Sequence, residues 1–454
     1  MRLSGLELQH ATGGHWHGII PDMIESLKTD TRGFEAGQSF LALRGPNFDG
    51  HDFAISIADK ALAMVGDAQG VRMWKGLPAA QLEVEDTLIA YGDIAHAWRM
   101  QLKDTTIVAI SGSYGKTSLR SILECGFSGL GLNVSATSAN LNNLIGVPQT
   151  LLNIPAGSDI ALIECGISEQ GEMARLTEIV QPDIAVLTGI THAHSEGLGG
   201  FSGVVQEKAA LFAHMNDAGW AVLGNGVAEL LTNADIQLDC PQLLADGDDA
   251  VSWLLDCRLL TMSYGSETTT MELDLPAMHW AENLALASSI ILSYLKPLRS
   301  ITLLEVTRVL SQWQPQAGRM QIIRGRSGCT VLDDSYNANP VSMQAAINTL
   351  RALEGRRIAV LGDMAELGDG AESAHAGLDL SGLDEVYLVG PQMKVLARAA
   401  GSAIWLATTV EAVSVLNGLQ FQSGDTLLIK ASRSMGLEAV VKSLCETEEV
   451  THAV

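Results

Sequence analysis

Cysteine and long apolar runs are scarce in this chain, and each scarcity excludes a class of protein. The 454 residues include six cysteines, with no CxxC pair and no framework spacing, so reduced thiols are expected. No apolar run approaches the 18 or so residues of a membrane-spanning helix. The first residues lack the basic start and apolar core of a signal peptide. Neither membrane insertion nor secretion is expected, and the predicted location is the cytoplasm.

Positive charge is scarce as well. Lysine and arginine total 28 against 52 acidic residues, which gives a net charge of -24. A field of this sign repels nucleic acid, so no nucleic-acid partner is expected. Any anionic ligand must therefore be held by a local basic or metal-lined pocket. The acidity is typical of a soluble protein, and a monomer is expected.

The most informative motif is an apolar, β-branched run, TTIVAI, that breaks into SGSYGKTS at residues 111–118 and continues as a helical pattern. Glycines let backbone N–H groups point at a phosphate, a helix N-terminus adds partial positive charge, and lysine adds a full charge. The threonine hydroxyl is placed to meet a phosphate-bound Mg²⁺. Ile110 stands where longer phosphate loops have a glycine, so an ordinary turn before a helix is the alternative. The predicted ATP-binding residues are Gly112, Ser113, Gly115, Lys116, Thr117 and Ser118.

Strand-like runs alternate with helical patterns through the middle of the chain and again after about residue 318. This alternation predicts an α/β fold of parallel βαβ units, with ligands at the carboxyl ends of the strands. Three domains are predicted. They are a small N-terminal α/β domain at 1–82, a central doubly wound domain with the phosphate loop at 83–312, and a C-terminal Rossmann-like domain at 313–454.

Polar residues follow several predicted strands. Glu164 ends one of them and is either a metal ligand or an ordinary strand-end carboxylate. His194, in THAHSEGLGG, is a candidate metal ligand that spacing alone leaves open. The helical pattern makes Lys208 a surface lysine. The loop DDSYNANP at 333–340 suits a polar, zwitterionic ligand, and an Asx-rich helix cap is the alternative.

Together these motifs resemble the Mur ligases, the ATP-dependent amide-forming enzymes of peptidoglycan synthesis. The resemblance covers nearly the whole chain. It rests on TDTR (29–32), FDGHDF (48–53), SGSYGKTS (111–118), TSANLNNLIGVP (137–148), HWAEN (279–283), GRM (318–320), DDSYNANP (333–340), GDMAELG (362–368) and KASRSMG (430–436). DDSYNANP with GDMAELG favours a member that adds D-alanyl-D-alanine to UDP-N-acetylmuramoyl-tripeptide over one that adds a single diamino acid.

The resemblance implies a role for each motif. The UDP part of the substrate would be held in the N-terminal domain by Thr31, Arg32, Asp49, Gly50 and His51. ATP would contact, besides the phosphate loop, His279, Asn283, Arg319 and Asp334. Mg²⁺ would be bound by Thr117, Glu164, His194 and Lys208, the last as a carbamate. The substrate cleft would contain Asn140 and Asn143, and the dipeptide would face Asn337 and Asn339. The catalytic residues would be Lys116, Glu164, His194 and Lys208.

Departures from the family pattern leave alternatives open. Gly189 and Trp280 stand where the family usually has asparagine, and both would lie on the nucleotide side. A diverged ligase acting on another carboxylate and amine is therefore one alternative. A nucleotide-dependent regulator without turnover is another, although a binding module needs no second metal site. In the expected reaction ATP converts a carboxylate into an acyl phosphate, which the dipeptide amine then attacks.

Overall fold

Three α/β units follow one another along the chain, each built on its own sheet. The structure, a computed structural model, describes residues 1–191 and 197–445. The α/β class predicted from the alternation of strands and helices is confirmed. The division at residues 82 and 312 stays a prediction.

The N-terminal unit has a five-stranded sheet. Its strands, together with a separate two-stranded hairpin of β4 and β5, are β1 (His15–His17), β2 (Leu27–Lys28), β3 (Ser39–Leu41), β4 (Arg44–Gly45), β5 (Phe48–Asp49), β6 (Ala63–Asp67) and β7 (Ala80–Val84). Its helices are α1 (Gly5–Thr12), α2 (Gly50–Ala54) and α3 (Ala68–Met73). The sheet order is β1-β7-β6-β3-β2, with β1 antiparallel to β7 and the other pairs parallel.

The central unit is a doubly wound parallel sheet followed by a small antiparallel one. The strands are β8 (Thr106–Ser111), β9 (Val134–Ala136), β10 (Ile160–Glu164), β11 (Ile184–Leu187), β12 (Trp220–Leu223), β13 (Gln242–Leu244), β14 (Ser252–Asp256), β15 (Leu259–Tyr264) and β16 (Glu267–Glu272). The helices are α4 (Thr87–Arg99), α5 (Lys116–Gly129), α6 (Gly146–Leu152), α7 (Glu172–Val180), α8 (Phe201–Ala209), α9 (Val227–Asn233), α10 (Met278–Leu295) and α11 (Leu303–Leu310). The parallel order is β13-β12-β11-β8-β10-β9, so β8 lies between β10 and β11.

The C-terminal unit is a six-stranded sheet in the order β17-β18-β22-β19-β20-β21, parallel except for β17. The strands are β17 (Gln321–Arg324), β18 (Thr330–Asp334), β19 (Arg357–Gly362), β20 (Glu385–Val389), β21 (Ile404–Leu406) and β22 (Thr426–Lys430). The helices are α12 (Pro340–Arg351), α13 (Ala371–Ala376), α14 (Lys394–Ala400), α15 (Thr409–Asn417) and α16 (Glu438–Leu444).

Strand β8 is buried on both faces, as a central parallel strand must be. Val108 and Ile110 join the apolar cluster that contains α5 and α10. Ile107 and Ala109 point the other way, into the cluster that contains α4 and α7. Packing on both faces fixes the carboxyl end of β8, where the phosphate loop begins.

Two expectations from composition can be compared with the structure. All six cysteines are free thiols. Within the described residues, no helix has both the length and the apolar character needed to cross a bilayer.

The FDGHDF segment of the N-terminal unit is organised around a fully buried histidine. One ring nitrogen of His51, Nδ1, lies 2.5 Å from Asp49 Oδ1, and the other, Nε2, accepts a hydrogen bond from the Asp67 N–H at 3.1 Å. The ring lies against Trp74, with centroids 5.3 Å apart. Because Nε2 accepts, the proton lies on Nδ1 and is donated to Asp49. His51 therefore fixes the shape of this segment.

We predict that Gly70→Ala destabilises the protein. Gly70 lies inside α3, where alanine normally adds about 0.5–1 kcal/mol of stability over glycine. Here an added Cβ would overlap the His51 ring, so the sign should reverse, with a loss of about 1–3 kcal/mol in the free energy of unfolding. Urea unfolding followed by circular dichroism measures it. Gly157→Ala is the control, since nothing lies within 4 Å of its added Cβ. Unchanged stability in Gly70→Ala would contradict the ring position.

Candidate active site

The loop between β8 and α5 has the backbone shape of a phosphate cradle. Gly112 and Gly115 have φ values of 147° and 80°, which disfavour other residues. A Cβ on Gly112 would also overlap the Thr188 hydroxyl. Helix α5 begins at Lys116, and no described side chain caps its N-terminus. The first N–H groups of α5 are therefore free to bind an anion.

Lys116 folds back over this loop. Its Nζ donates a hydrogen bond to the Gly112 carbonyl at 2.5 Å. Burial lowers the pKa of Lys116 to about 8, and the charge of Arg319 adds to this effect while Glu164 opposes it. An anion in the cradle would favour the charged form of Lys116.

Glu164 ends β10, beside β8, and its side chain is 1% exposed. Its Oε2 accepts a hydrogen bond from the Thr117 hydroxyl at 3.0 Å, and its Oε1 accepts one from Arg120 Nε at 2.7 Å. A carboxylate next to a hydroxyl is a donor set that suits Mg²⁺. The sequence interpretation missed Arg120, although its place three residues after Thr117 puts both on one face of α5.

The predicted metal centre is only partly described. His194 lies outside the described residues. Within residues 1–191 and 197–445, no three His, Cys, Asp or Glu side chains form a cluster that could hold a metal. The ligand set therefore stays a prediction.

Lys208, on α8, is 1% exposed, so the interpretation of a surface lysine is wrong. Burial lowers the pKa of its amine well below the ordinary value, and the charge of Lys116 acts in the same direction. No carboxylate of the described residues lies within 4 Å of its Nζ. Glu207 next to it is engaged elsewhere, since its carboxylate accepts from the N–H groups of Gly171 and Met173. Burial and the neighbouring Lys116 therefore both favour the neutral form of the Lys208 amine.

Helix α10 brings two predicted nucleotide residues beside the phosphate loop. Asn283 Nδ2 donates to the His279 carbonyl at 2.7 Å, and a Cβ on Gly115 would lie 3.3 Å from Asn283 Oδ1. His279 Nδ1 is buried without a hydrogen-bond partner among the described residues. Burial lowers the pKa of His279 to about 4, so the ring is neutral. An unpaired buried polar atom indicates a place for a ligand group.

Arg319 reaches the same place from the C-terminal unit. Its Nη2 donates to the Thr117 hydroxyl at 3.3 Å, and its guanidinium lies 4.2 Å from the centre of the Tyr336 ring. Asp334, predicted to contact the nucleotide, is instead paired within the unit. It accepts from Lys430 Nζ at 2.6 Å and from the Met320 N–H at 3.1 Å. Only the arginine of this predicted pair faces the phosphate loop.

The polar loop 333–340 is partly a ligand surface and partly a helix cap. Asp333 accepts hydrogen bonds from the N–H and the hydroxyl of Ser335. Asn339 caps α12, and its amide also donates to the Ser113 carbonyl at 3.0 Å. Both ends of the Asn339 amide are thus engaged within the protein, and its contact with the dipeptide stays a prediction. Asn337 is exposed, and its contact with the dipeptide stays a prediction.

Ser113 is also engaged within the protein. It was predicted to bind ATP, but its N–H donates to the Gly189 carbonyl at 2.8 Å. Its hydroxyl accepts from the Thr191 N–H at 2.9 Å. Its backbone and hydroxyl therefore hold the loop in place instead of facing the cradle.

Of the predicted substrate residues outside the phosphate loop, some are engaged within the protein and others are accessible. Gly50 and His51 are buried, and Asp49 caps α2 while its carboxylate pairs with Arg44 at 2.5 Å. These three were predicted to contact UDP, but they shape their own segment. Asn143 accepts from two N–H groups at the start of α6. Three predicted contacts remain exposed or half-buried and stay predictions: Thr31, Arg32 and Asn140.

The two departures from the family pattern have different surroundings. A Cβ on Gly189 would overlap the Tyr114 ring, so the tyrosine fills the space beside this glycine. Trp280 is 3% exposed and packs edge-to-face on Trp313, with centroids 5.5 Å apart. The expectation that Trp280 faces the nucleotide is wrong, because the indole is part of the apolar core.

The fold and the site define a class: a multi-unit α/β protein with an ATP-type phosphate loop at the carboxyl edge of its central sheet. Residues 110–291 match the Mur ligase middle domain, and residues 318–433 match the Mur ligase, glutamate ligase domain. The chain belongs to the Mur ligase family, and it is an ATP-dependent ligase.

Similar proteins span nearly the whole chain. The UDP-N-acetylmuramoyl-tripeptide–D-alanyl-D-alanine ligase of Escherichia coli is 33% identical, covering 93% of this chain and 94% of its own. Crystal structure I of MurF from Acinetobacter baumannii is 29% identical, with a TM-score of 0.85 over 98% of this chain and 99% of that one. The MurF ligase of Thermotoga maritima, solved with ADP, has the same fold at 24% identity, with a TM-score of 0.78 over 92% and 96%.

We predict that Lys208→Met stabilises the protein by about 1–3 kcal/mol near pH 7 in metal-free, bicarbonate-free buffer, because it removes a buried amine. The folded-state pKa of Lys208 lies below its ordinary value of 10.5, so unfolding takes up a proton between these two values. Wild-type stability should therefore rise with pH in that window, and the gain from methionine should shrink.

Urea unfolding at several pH values between about 7 and 9 measures this difference. Lys103→Met is the control, since Lys103 is exposed and its loss should change stability by less than about 0.5 kcal/mol. A Lys208→Met variant that is less stable than wild type, or a gain independent of pH, would contradict the prediction.

Proposed function

We propose that this protein joins D-alanyl-D-alanine to UDP-N-acetylmuramoyl-tripeptide in peptidoglycan precursor synthesis, with ATP and through an acyl phosphate. The observation that carries the proposal is the phosphate loop, with Lys116 folded over it and Arg319 reaching it from the C-terminal unit. The chain that contains it is 33% identical to a ligase of this name over 93% of its length.

ATP fits the loop between β8 and α5. The free N–H groups at the start of α5 and the ammonium of Lys116 bind its phosphates, and Arg319 adds charge from the C-terminal unit. The base lies toward His279, whose unpaired Nδ1 is available for a hydrogen bond, and toward Asn283.

The substrate carboxylate is a poor electrophile, so its activation comes first. One carboxylate oxygen attacks the γ-phosphorus, the bond to the β-phosphate bridging oxygen breaks, and ADP leaves. The neutral dipeptide amine then attacks the acyl carbon, inorganic phosphate departs with the electrons of the C–O bond, and the nitrogen releases one proton to water. Lys116 stabilises the negative charge that develops on the transferring group.

Mg²⁺ fits the oxygen donors next to this loop. Thr117 and Glu164 would hold it, since Arg120 already occupies Glu164 Oε1 and leaves Oε2 beside the Thr117 hydroxyl. When bound, the ion neutralises phosphate charge. By the family resemblance we include His194 and Lys208 as further ligands.

A carbamate on Lys208 follows from its burial as well as from the resemblance. A neutral amine adds to CO₂, releases one proton and becomes an anion. Lys116 beside it disfavours an ammonium at Lys208 and favours an anion there. Modification thus places an anion beside the Lys116 ammonium, where the two attract.

The remaining assignments concern the substrates. Thr31 and Arg32 of the N-terminal unit contact UDP, Asn140 lies in the cleft, and Asn337 faces the dipeptide. The three units, at 1–82, 83–312 and 313–454, supply in turn the UDP site, the ATP site and the dipeptide site. The proposal includes a monomer acting in the cytoplasm.

We predict that amide formation requires ATP, UDP-N-acetylmuramoyl-tripeptide and D-alanyl-D-alanine together. The measurement is phosphate release and amide product with each substrate omitted in turn. Replacing the dipeptide by a single diamino acid is the control for amine specificity. ATP hydrolysis at the same rate without the dipeptide would contradict a ligase, and a faster reaction with the diamino acid would contradict this amine substrate.

We also predict a carbamate signal in the carbonyl region of the ¹³C NMR spectrum when the protein is equilibrated with ¹³C-bicarbonate. Lys208→Met should lose this signal, whereas Lys103→Met should retain it, because burial lowers the pKa of Lys208 and so favours the neutral amine that adds to CO₂. The same spectrum in both variants would place the modification elsewhere.

A further inference from the structure

Ser113, in the middle of the phosphate loop, is bonded to two other segments, the one that follows β11 and the loop that ends at Asn339. Its N–H donates to Gly189 at the end of β11, and its hydroxyl is paired with the backbone of Thr191. Its carbonyl accepts a hydrogen bond from Asn339 Nδ2 at 3.0 Å. The third bond is the one that comes from the C-terminal unit, so Ser113 joins that unit to the phosphate loop directly.

The Asn339 amide divides its two ends between two tasks. Its Oδ1 accepts from the Ser342 N–H at 2.9 Å, which caps α12, while its Nδ2 binds Ser113. The orientation of the amide is determined by its partners, because an N–H can only donate and a carbonyl can only accept. The side chain is 8% exposed, so water competes little for either bond.

The exposed Asn337 lies on the loop that ends at Asn339. Two further hydrogen bonds also fix the position of this loop. Lys430 Nζ donates to the Asn337 carbonyl at 3.1 Å, and the Ser432 hydroxyl donates to the Ala338 carbonyl at 3.3 Å. These two bonds lie within the C-terminal unit. Of the hydrogen bonds described for residues 337–339, only the one from Asn339 to Ser113 leaves that unit.

We propose that Asn339 is a positioning residue that aligns the dipeptide-facing loop of the C-terminal unit with the phosphate loop through its bond to Ser113. The inference rests on the proposed function, since it assumes that the amine arrives from this loop. The acyl phosphate forms at the phosphate loop, and the amine must reach the acyl carbon from the C-terminal unit. A misplacement of 1 Å can cost about 100-fold in rate.

The test separates the two ends of the amide. Asn339→Ser keeps a good N-cap without charge, but its short side chain cannot also reach Ser113. Asn339→Asp keeps the cap and replaces the donor by a carboxylate oxygen. Thr408→Ala is the matched control, because Thr408 caps α15 in the same unit and accepts from the Glu411 N–H.

We expect Asn339→Ser and Asn339→Asp to lower kcat for amide formation about 10- to 100-fold, with thermal midpoints close to wild type. In Asn339→Ser the KM for ATP should stay within about 3-fold of wild type, because the cradle amides and Lys116 are unchanged. Thr408→Ala should show the reverse, a lower midpoint with kcat unchanged. Steady-state kinetics in each substrate and thermal unfolding provide these quantities.

Wild-type kcat in Asn339→Ser would overturn the inference, and so would a loss confined to Asn339→Asp, which would assign the effect to the added charge. A loss in Asn339→Ser accompanied by a midpoint below that of Thr408→Ala would show a structural role only and would also overturn it. An inactive wild-type protein would instead refute the proposed function, and this inference with it.

Discussion

Positive charge gathered at the phosphate loop is the constraint on which the rest of the site depends. Lys116 and Arg319 lie there half-buried, with the buried Lys208 nearby, in a protein whose net charge is -24. The charge of Arg319 lowers the pKa of Lys116, and that of Lys116 lowers the pKa of Lys208. Glu164 offsets part of this repulsion, but Arg120 already pairs with it. An anion bound in the cradle would therefore complete the electrostatics of the site.

The same loop is where two units of the protein meet. Asn339 binds Ser113, Arg319 binds Thr117, and the Trp313 indole donates to the Ser121 hydroxyl at 2.9 Å. All three bonds end on the phosphate loop or on the first two turns of α5. A shift of the C-terminal unit would therefore change the surroundings of the phosphate loop directly.

How much the sequence could predict depends on whether a feature is determined by neighbouring residues along the chain or by residues distant in sequence. The alternation of strands and helices is a local pattern, so it predicted the parallel sheet and placed the phosphate loop after β8. The burial of Lys208 depends on elements packed around α8, and periodicity along one helix does not contain that information. Glu164 was correctly placed at a strand end, but its pairing with Arg120 needed the register of β10 beside β8 and α5.

Asn337 and Asn339 show how a motif divides into ligand-facing and architectural positions. Asn339 precedes Pro340 and lies three residues before Ser342, which is the spacing of a capped helix start, so its capping role was readable from the sequence. Asn337 does not stand at the spacing of a capped helix start, and it is exposed. When a polar residue of a motif stands at a helix-capping position, capping is therefore the first role to assign to it. Its remaining donor or acceptor then indicates what else it does, and in Asn339 that remaining donor crosses to the phosphate loop.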